Sequence, residues 1–288
     1  MTETPEFSLL LPVYGGDSAP FLLRAFRSSV IEQSLKPSEV VLVQDGPVSA
    51  PLVSAIAELD RSTPVPLKIV ILPENRGLSE ALTAGLAECS YEVVARMDAD
   101  DVSEPHRFAV ELELVARGYE LVGSGLNEFT ETEHGELLGV RRVPPVESDE
   151  IKRYARFHDP FNHPTVVYTK SAVERAGGYL PLGMMEDYWL FARMLAADVR
   201  AVNSPEALVR YRVSSGAYKR RGGLRLLRSE WMLQRAFVKS GFTTRTQFVR
   251  NVVVRGGYRL VPEPIRRRAY RSMIAGERPV ADKAGADS

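Results

Sequence analysis

Three carboxylates stand within four residues at the end of Val93-Val94-Ala95-Arg96-Met97-Asp98-Ala99-Asp100-Asp101. Asp98 and Asp100 are two apart, so on an extended or turning backbone they converge on one hard cation, or on phosphate oxygens bridged by that cation. Two readings stay open from these residues alone: a cation and phosphate site, or a solvated acidic loop that caps a helix beginning near Pro105. The apolar run just before the cluster favours the first, because ligands of open α/β sheets lie at the carboxyl ends of strands. A second acidic pair, Glu186-Asp187, opens a helical pattern carrying Trp189, Leu190, Met194 and Leu195. Alone it reads as a complement to the helix dipole.

The elements that must hold these groups alternate. Phe7–Tyr14, Glu39–Val43, Leu67–Leu72 and the Val93 run read as short buried strands. Helical patterns follow each of them, beginning after Ser18, near Pro51, at Leu78 and near Pro105. This alternation predicts βαβ units and a mostly parallel, Rossmann-like sheet, with Tyr14-Gly15, Asp45-Gly46 and Asp98 to Asp101 on one edge, where a nucleotide should lie. No G-x-G-x-x-G or G-x-x-x-x-G-K-S/T follows the first strand, which argues against a dinucleotide fold or a P-loop. A strand at Glu120–Ser124, a hairpin over Phe129–Val140, a helix over Glu147–Phe157, a strand at Thr165–Tyr168 and two short strands at Arg200–Val202 and Ala207–Val213 complete this unit. The pattern then becomes helical, through Leu224, Leu227, Trp231, Leu233 and Phe237, through Thr244 to Val254, and near Pro264 with Arg266-Arg267-Arg268-Ala269-Tyr270-Arg271. The division expected is a catalytic domain over 1–215, a basic helical extension over 216–275 and a disordered tail over 276–288.

The 288 residues carry no formal net charge, yet from Ser204 onward 19 Lys and Arg face 6 Asp and Glu. Basic amphipathic helices of this kind suit an anionic membrane leaflet or a polyanion, or are solvated faces packed on the domain, and the basic residues join no nucleic-acid reading motif. Cys89 is the only cysteine, so no intrachain disulfide forms, and no His/Cys cluster has zinc spacing. The first residues lack the basic and apolar regions of a signal peptide, and no apolar stretch approaches the roughly 18–20 residues of a membrane span. The expected location is the cytoplasm, soluble or peripheral on the inner leaflet.

The order of motifs resembles the family-2 glycosyltransferases of the GT-A fold, in the branch of the bacterial amylovoran and exopolysaccharide enzymes. The matching stretches are Leu11-Pro12-Val13-Tyr14, Val43-Gln44-Asp45-Gly46, Asn75-Arg76-Gly77-Leu78, Asp98-Ala99-Asp100-Asp101, Asn162-His163-Pro164, Gly177-Gly178-Tyr179 and Glu186-Asp187-Tyr188-Trp189. They span residues 7–213 in order; nothing beyond about 220 is matched. The resemblance implies inverting transfer of a sugar from a nucleotide-diphosphate donor to a hydroxyl of a glycan or lipid-linked saccharide. Pro12, Val13 and Tyr14 would line the nucleoside pocket, Asp45 would bond the base, Arg76 and Gly77 would lie along the nucleotide and Asp98 beside its ribose. Asp100 would bind Mg²⁺ or Mn²⁺, with Asp101 near it. Asp187 would be the general base and Glu186 its companion. His163 is a further candidate for the donor phosphate or the acceptor, and Trp189 for stacking on an acceptor sugar, against core packing. The Q-x-x-R-W signature of processive synthases is absent, which favours addition of one sugar. A sugar-1-phosphate nucleotidyltransferase would show a basic Gly-rich loop after the first strand, and Gly15-Gly16-Asp17 has no basic residue. A catalytically degenerate binding module is the other alternative, and the intact acidic pairs argue against it.

Overall fold

In the computed structural model, residues 4–133, 135–213 and 224–257 are described. The elements are β1 (Phe7–Tyr14), α1 (Ala19–Phe26), β2 (Glu39–Asp45), α2 (Ala50–Ser62), β3 (Leu67–Leu72), α3 (Leu78–Glu88), β4 (Val93–Arg96), β5 (Val102–Ser103), α4 (Arg107–Ala116) and β6 (Leu121–Thr132). There follow β7 (Gly135–Arg142), α5 (Ser148–Tyr154), β8 (Val167–Thr169), α6 (Lys170–Arg175), α7 (Glu186–Ala196), β9 (Ala201–Arg212), α8 (Leu224–Lys239) and α9 (Arg245–Asn251). One sheet runs β3-β2-β1-β4-β8-β6-β9-β5, with β7 paired to β6. Its first four strands are parallel, and β8, β5 and β7 each pair antiparallel to their neighbours.

Burial on both faces explains the continuous apolar strands. Leu9, Leu11 and Val13 meet α1, α2 and α4 on one side, while Leu10, Val41 and Val43 meet α3 and α7 on the other. At Gly85 of α3 a Cβ would lie 2.4 Å from Leu10 Cδ1 and 2.5 Å from Val43 Cγ2, so this helix lies against the strands by virtue of a glycine. The parallel strands point their carboxyl ends at one rim, as the alternation predicts.

Two expected elements differ. The two strands expected at 200–202 and 207–213 are one strand, β9 (Ala201–Arg212), and β6 likewise runs unbroken through Leu126 and Asn127. Register shifts between Ser124 and Leu126 absorb Pro205, so the turn-like Ser204-Pro205-Glu206 ends no strand. Thr165 lies in a short 3₁₀ turn, where its N–H donates to the Asn162 carbonyl at 2.9 Å, and not in a strand.

The helical extension packs onto the sheet domain. Leu226, Leu233 and Phe237 of α8 bury against Leu182, Met185, Tyr188 and Ala192. Beneath them the buried Glu230 accepts from Arg255 Nε at 2.6 Å and from Gln234 Nε2 at 3.0 Å. Asn251 and Arg255 reach beyond this cluster to the carbonyls of Arg156 (2.8 Å) and Phe157 (2.6 Å). No described helix is long and apolar enough to cross a membrane. The expected third basic helix near Pro264, the tail over 276–288 and the boundary at 215 lie outside the described residues.

Candidate active site

Two cavities open at the carboxyl rim and share Leu78, Asp98 and Tyr211 as a common wall. The first, about 500 Å³, is lined by Pro12, Val13, Tyr14, Asp17, Asp45, Gly77 and Asp100 among others. Six of these were candidates from sequence. Tyr14, the last residue of β1, is 49% exposed there, an aromatic face available to a base.

Asp45, expected from the resemblance to bond the base, lines this cavity at the end of β2. It is 4% exposed, and its two oxygens accept the backbone N–H groups of Arg76 at 2.7 Å and Gly77 at 2.9 Å. Both bonds fix the turn that enters α3. The adjacent Gly46 has φ +80°, and a Cβ there would meet Asn75 N at 2.4 Å, so only glycine lets the two loops come together. The Arg76 guanidinium is exposed beside Glu74, and its backbone N–H donates to Asp45.

The acidic loop divides its labour. Asp98 is held by Arg96, a fully buried arginine at the end of β4, whose Nη1 donates to Oδ2 at 2.8 Å and whose Nη2 bonds Oδ1. Asp100 faces the first cavity, and its carboxyl is pushed up to about 6 by burial and by Asp98. Asp17 is pushed up to about 7, mainly by burial, with Asp100 and Asp98 adding to it. Asp101 lines neither cavity; it is fully buried and accepts the N–H of Arg212 at 2.8 Å. Arg212 Nε also donates to the Asp100 carbonyl at 2.8 Å, so the end of β9 sets the shape of the loop. Among the described residues no group of three or more His, Cys, Asp or Glu is arranged to hold an ion unaided. Carboxylates crowded until their proton affinity rises nevertheless make the field that a divalent cation relieves, and Asp100 fits the part of one ligand.

The second cavity, about 680 Å³, is lined by Asp98, Asp159, His163, Asp187, Arg141 and Arg142, with Tyr154 and Tyr211. Asp187, at the start of α7, accepts its neighbour Tyr188's N–H at 2.7 Å, and its carboxyl is raised by burial and by Asp98. Glu186 beside it is pushed up to about 7 by burial and by Asp187, and its buried Oε2 has no hydrogen-bond partner among the described residues. His163 is only 8% exposed, with Nδ1 3.6 Å from Asp187 Oδ2 and Nε2 3.4 Å from the Tyr179 hydroxyl. Burial and Arg96 hold its pKa well below the usual histidine value, so the ring is neutral. Trp189 lines neither cavity: its ring packs 6.0 Å from Phe237 of α8.

Residues 8–176 match the model of the family Glycosyl transferase family 2. The chain belongs to this family. An uncharacterized glycosyltransferase of Haemophilus influenzae is 34% identical over 271 residues, covering 93% of this chain and 99% of that protein. The UDP-Gal:alpha-D-GlcNAc-diphosphoundecaprenol beta-1,3-galactosyltransferase of Escherichia coli is 33% identical, covering 94% of this chain and 98% of its own. The amylovoran biosynthesis glycosyltransferase AmsE of Erwinia amylovora is 36% identical, covering 92% and 97%. Among solved structures, the mannosyltransferase PcManGT of Pyrobaculum calidifontis, in complex with GDP-Man and Mn²⁺, aligns with a TM-score of 0.61 at 19% identity, over 97% of this chain and 77% of that one. Residues 1–349 of S. aureus TarS with UDP-GlcNAc align at 0.62 and 17%, over 87% and 72%. The fold is GT-A, and the protein is a glycosyltransferase.

Four residues that shape this family-2 site carry no local signal strong enough to select them: Asp17, Arg96, Asp159 and Arg212. Arg96 alone could have been suspected, as the one charge inside the apolar run of β4. Asp159 is raised by burial and by Asp187, which places a further carboxyl at the second cavity.

Proposed function

We propose that this glycosyltransferase moves a single sugar, with inversion, from a nucleoside-diphosphate sugar in the first cavity to a hydroxyl of a lipid-linked saccharide in the second. One observation carries the reading: the two cavities meet at Asp98, with the Asp98-Ala99-Asp100 loop on one side and Asp187 on the other. Donor and acceptor bound in this way would bring the anomeric carbon and the attacking hydroxyl to one wall. The relatives named for transfer to a diphosphoundecaprenol-linked sugar and for amylovoran biosynthesis support an acceptor in cell-surface polysaccharide or glycolipid assembly. Such an acceptor brings the enzyme to the inner leaflet.

In this reading Tyr14 stacks on the base, and the Asp45-held turn shapes the nucleotide wall. Arg96 orients Asp98 through its two guanidinium bonds. The acceptor oxygen bonds to the anomeric carbon as the bond to the donor phosphate breaks; its proton passes to Asp187, and the nucleoside diphosphate departs. The raised proton affinity of Asp187 suits it to that transfer. Neutral His163 steadies its carboxylate from behind. Asp100 would hold Mg²⁺ or Mn²⁺, which neutralises charge on the departing diphosphate, as the Mn²⁺ bound to a fold neighbour makes reasonable.

The test is transfer from a panel of UDP-, GDP- and dTDP-sugars to a lipid-diphosphate saccharide. Asp187→Asn is expected to keep donor affinity and lose about 10²–10⁴-fold in turnover. Asp100→Ala is expected to lose metal-dependent donor binding. Turnover of Asp187→Asn within a few-fold of wild type would remove the base from this scheme.

A further inference from the structure

The face of α8 and α9 turned away from the sheet domain combines unpaired cations with exposed apolar side chains. Arg225, Arg228, Arg235, Lys239 and Arg245 are exposed, and none makes an ion pair or side-chain hydrogen bond among the described residues. The only acid on these helices, Glu230, is buried against Arg255. Leu224, Trp231, Arg228 and Arg235 fall on one side of α8 at helical spacing, with Leu224 77% exposed and Trp231 45%. Val249, Val253 and Val254 stand out in the same way from the second helix and its last turn.

Between the helices lies a groove of about 590 Å³. Its floor is Ala236, Val238, Phe248 and Val249; its rim is Arg235, Lys239 and Arg245. An apolar floor under three free cations fits one class of ligand, an amphiphile with an anionic head and a hydrocarbon tail. Nucleic acid would use the cations and leave the valines in water. The residues that follow, 258–271, carry five further arginines and one glutamate, which adds to the positive charge of this end of the chain.

We propose that α8 and α9 form the face that docks the enzyme on an anionic phospholipid bilayer, with the groove receiving a lipid phosphate above its acyl chain. The proposal deepens the reading of a lipid-linked acceptor, yet it rests on the chemistry of this face. Docking here has a consequence for the site, because the same helices are fastened to the acceptor cavity. Asn251 and Arg255 hold the Arg156 and Phe157 carbonyls, at the start of the loop that carries Asp159 and His163 into that cavity. The bilayer would thus be set at a fixed position relative to the acceptor.

The experiment uses the full chain with phosphatidylcholine vesicles, with and without phosphatidylglycerol, and separately measures transfer to a water-soluble acceptor analogue. Binding is expected only with phosphatidylglycerol, to fall with salt, and to weaken about 100-fold in Arg235→Gln/Lys239→Gln/Arg245→Gln as three cations leave an anionic surface. The triple variant should keep wild-type transfer to the soluble analogue, which shows that it is folded. Trp231 emission should shift to the blue on binding, and the shift should vanish in Trp231→Phe. Wild-type binding by the triple variant, equal binding to pure phosphatidylcholine, or binding of duplex RNA without vesicle binding overturns the proposal. Loss of transfer with intact vesicle binding instead sinks the catalytic reading and leaves the docking face standing.

Discussion

Replacing Asp45 by Asn separates two roles that a carboxylate at this rim can have. The structure gives its oxygens to the N–H groups of Arg76 and Gly77, at 2.7 and 2.9 Å, at the entrance to α3. An amide retains one acceptor and turns its NH₂ toward the other N–H. One charge-assisted bond is lost, worth about 1.5–3 kcal/mol, and the helix N-terminus loses a nearby negative charge worth about 0.3–1 kcal/mol. The expected destabilisation is therefore about 2–4 kcal/mol, a fall in Tm on the order of 5–12 °C for a chain of this size. With the turn released, Gly77 and Leu78 no longer hold the nucleotide wall, so affinity for UDP, GDP and dTDP should fall together. The assay is thermal unfolding beside equilibrium binding of the three nucleotides. A variant that melts within about a degree of wild type and loses affinity for one base alone would show that Asp45 reads the base directly, and the loop-holding argument would be wrong.

Three other outcomes follow from the packing and charge of the site. Because Asp187 must be ionised to accept a proton and burial raises its pKa, kcat/KM should rise with pH on a limb displaced upward from the ordinary carboxylate range; in Asp98→Asn a negative charge that raises Asp187 is gone and Arg96 loses its partner, so the limb should move to lower pH, and an unmoved limb would deny the coupling. Arg255→Ala breaks the buried Arg255–Glu230 ion pair and frees the Phe157 carbonyl, so it should cost about 3–5 kcal/mol and raise KM for the acceptor while nucleotide affinity holds, to be read by denaturant unfolding and steady-state kinetics. Gly85→Ala drives a methyl into Leu10 and Val43, and should cost about 1–3 kcal/mol in the same unfolding assay.

The alternation of the first four strands with helices is legible in the sequence, and with it the rim where Tyr14, Asp45 and Asp98 to Asp100 gather. Those features are local: a strand buried on both faces must be apolar throughout, and a carboxylate just after it must sit at its exposed end. The acidic pair at the head of α7 was equally visible, and the succession of motifs was enough to name the family. Which carboxylate faces a cavity and which is buried follows from contacts between distant segments. Asp100 and Asp101 are neighbours of the same type, yet one faces a cavity and the other is buried under the backbone of Arg212, contributed by β9 111 residues away. Asp45 was legible as a site residue, but that its oxygens go to a loop 31 and 32 residues further on was not. His163 could be singled out by type and position; its place behind Asp187 depends on α7 packing across the sheet. Hydrogen bonds and burial between distant segments assign these roles, because partners far apart in the chain leave no periodicity or spacing in it.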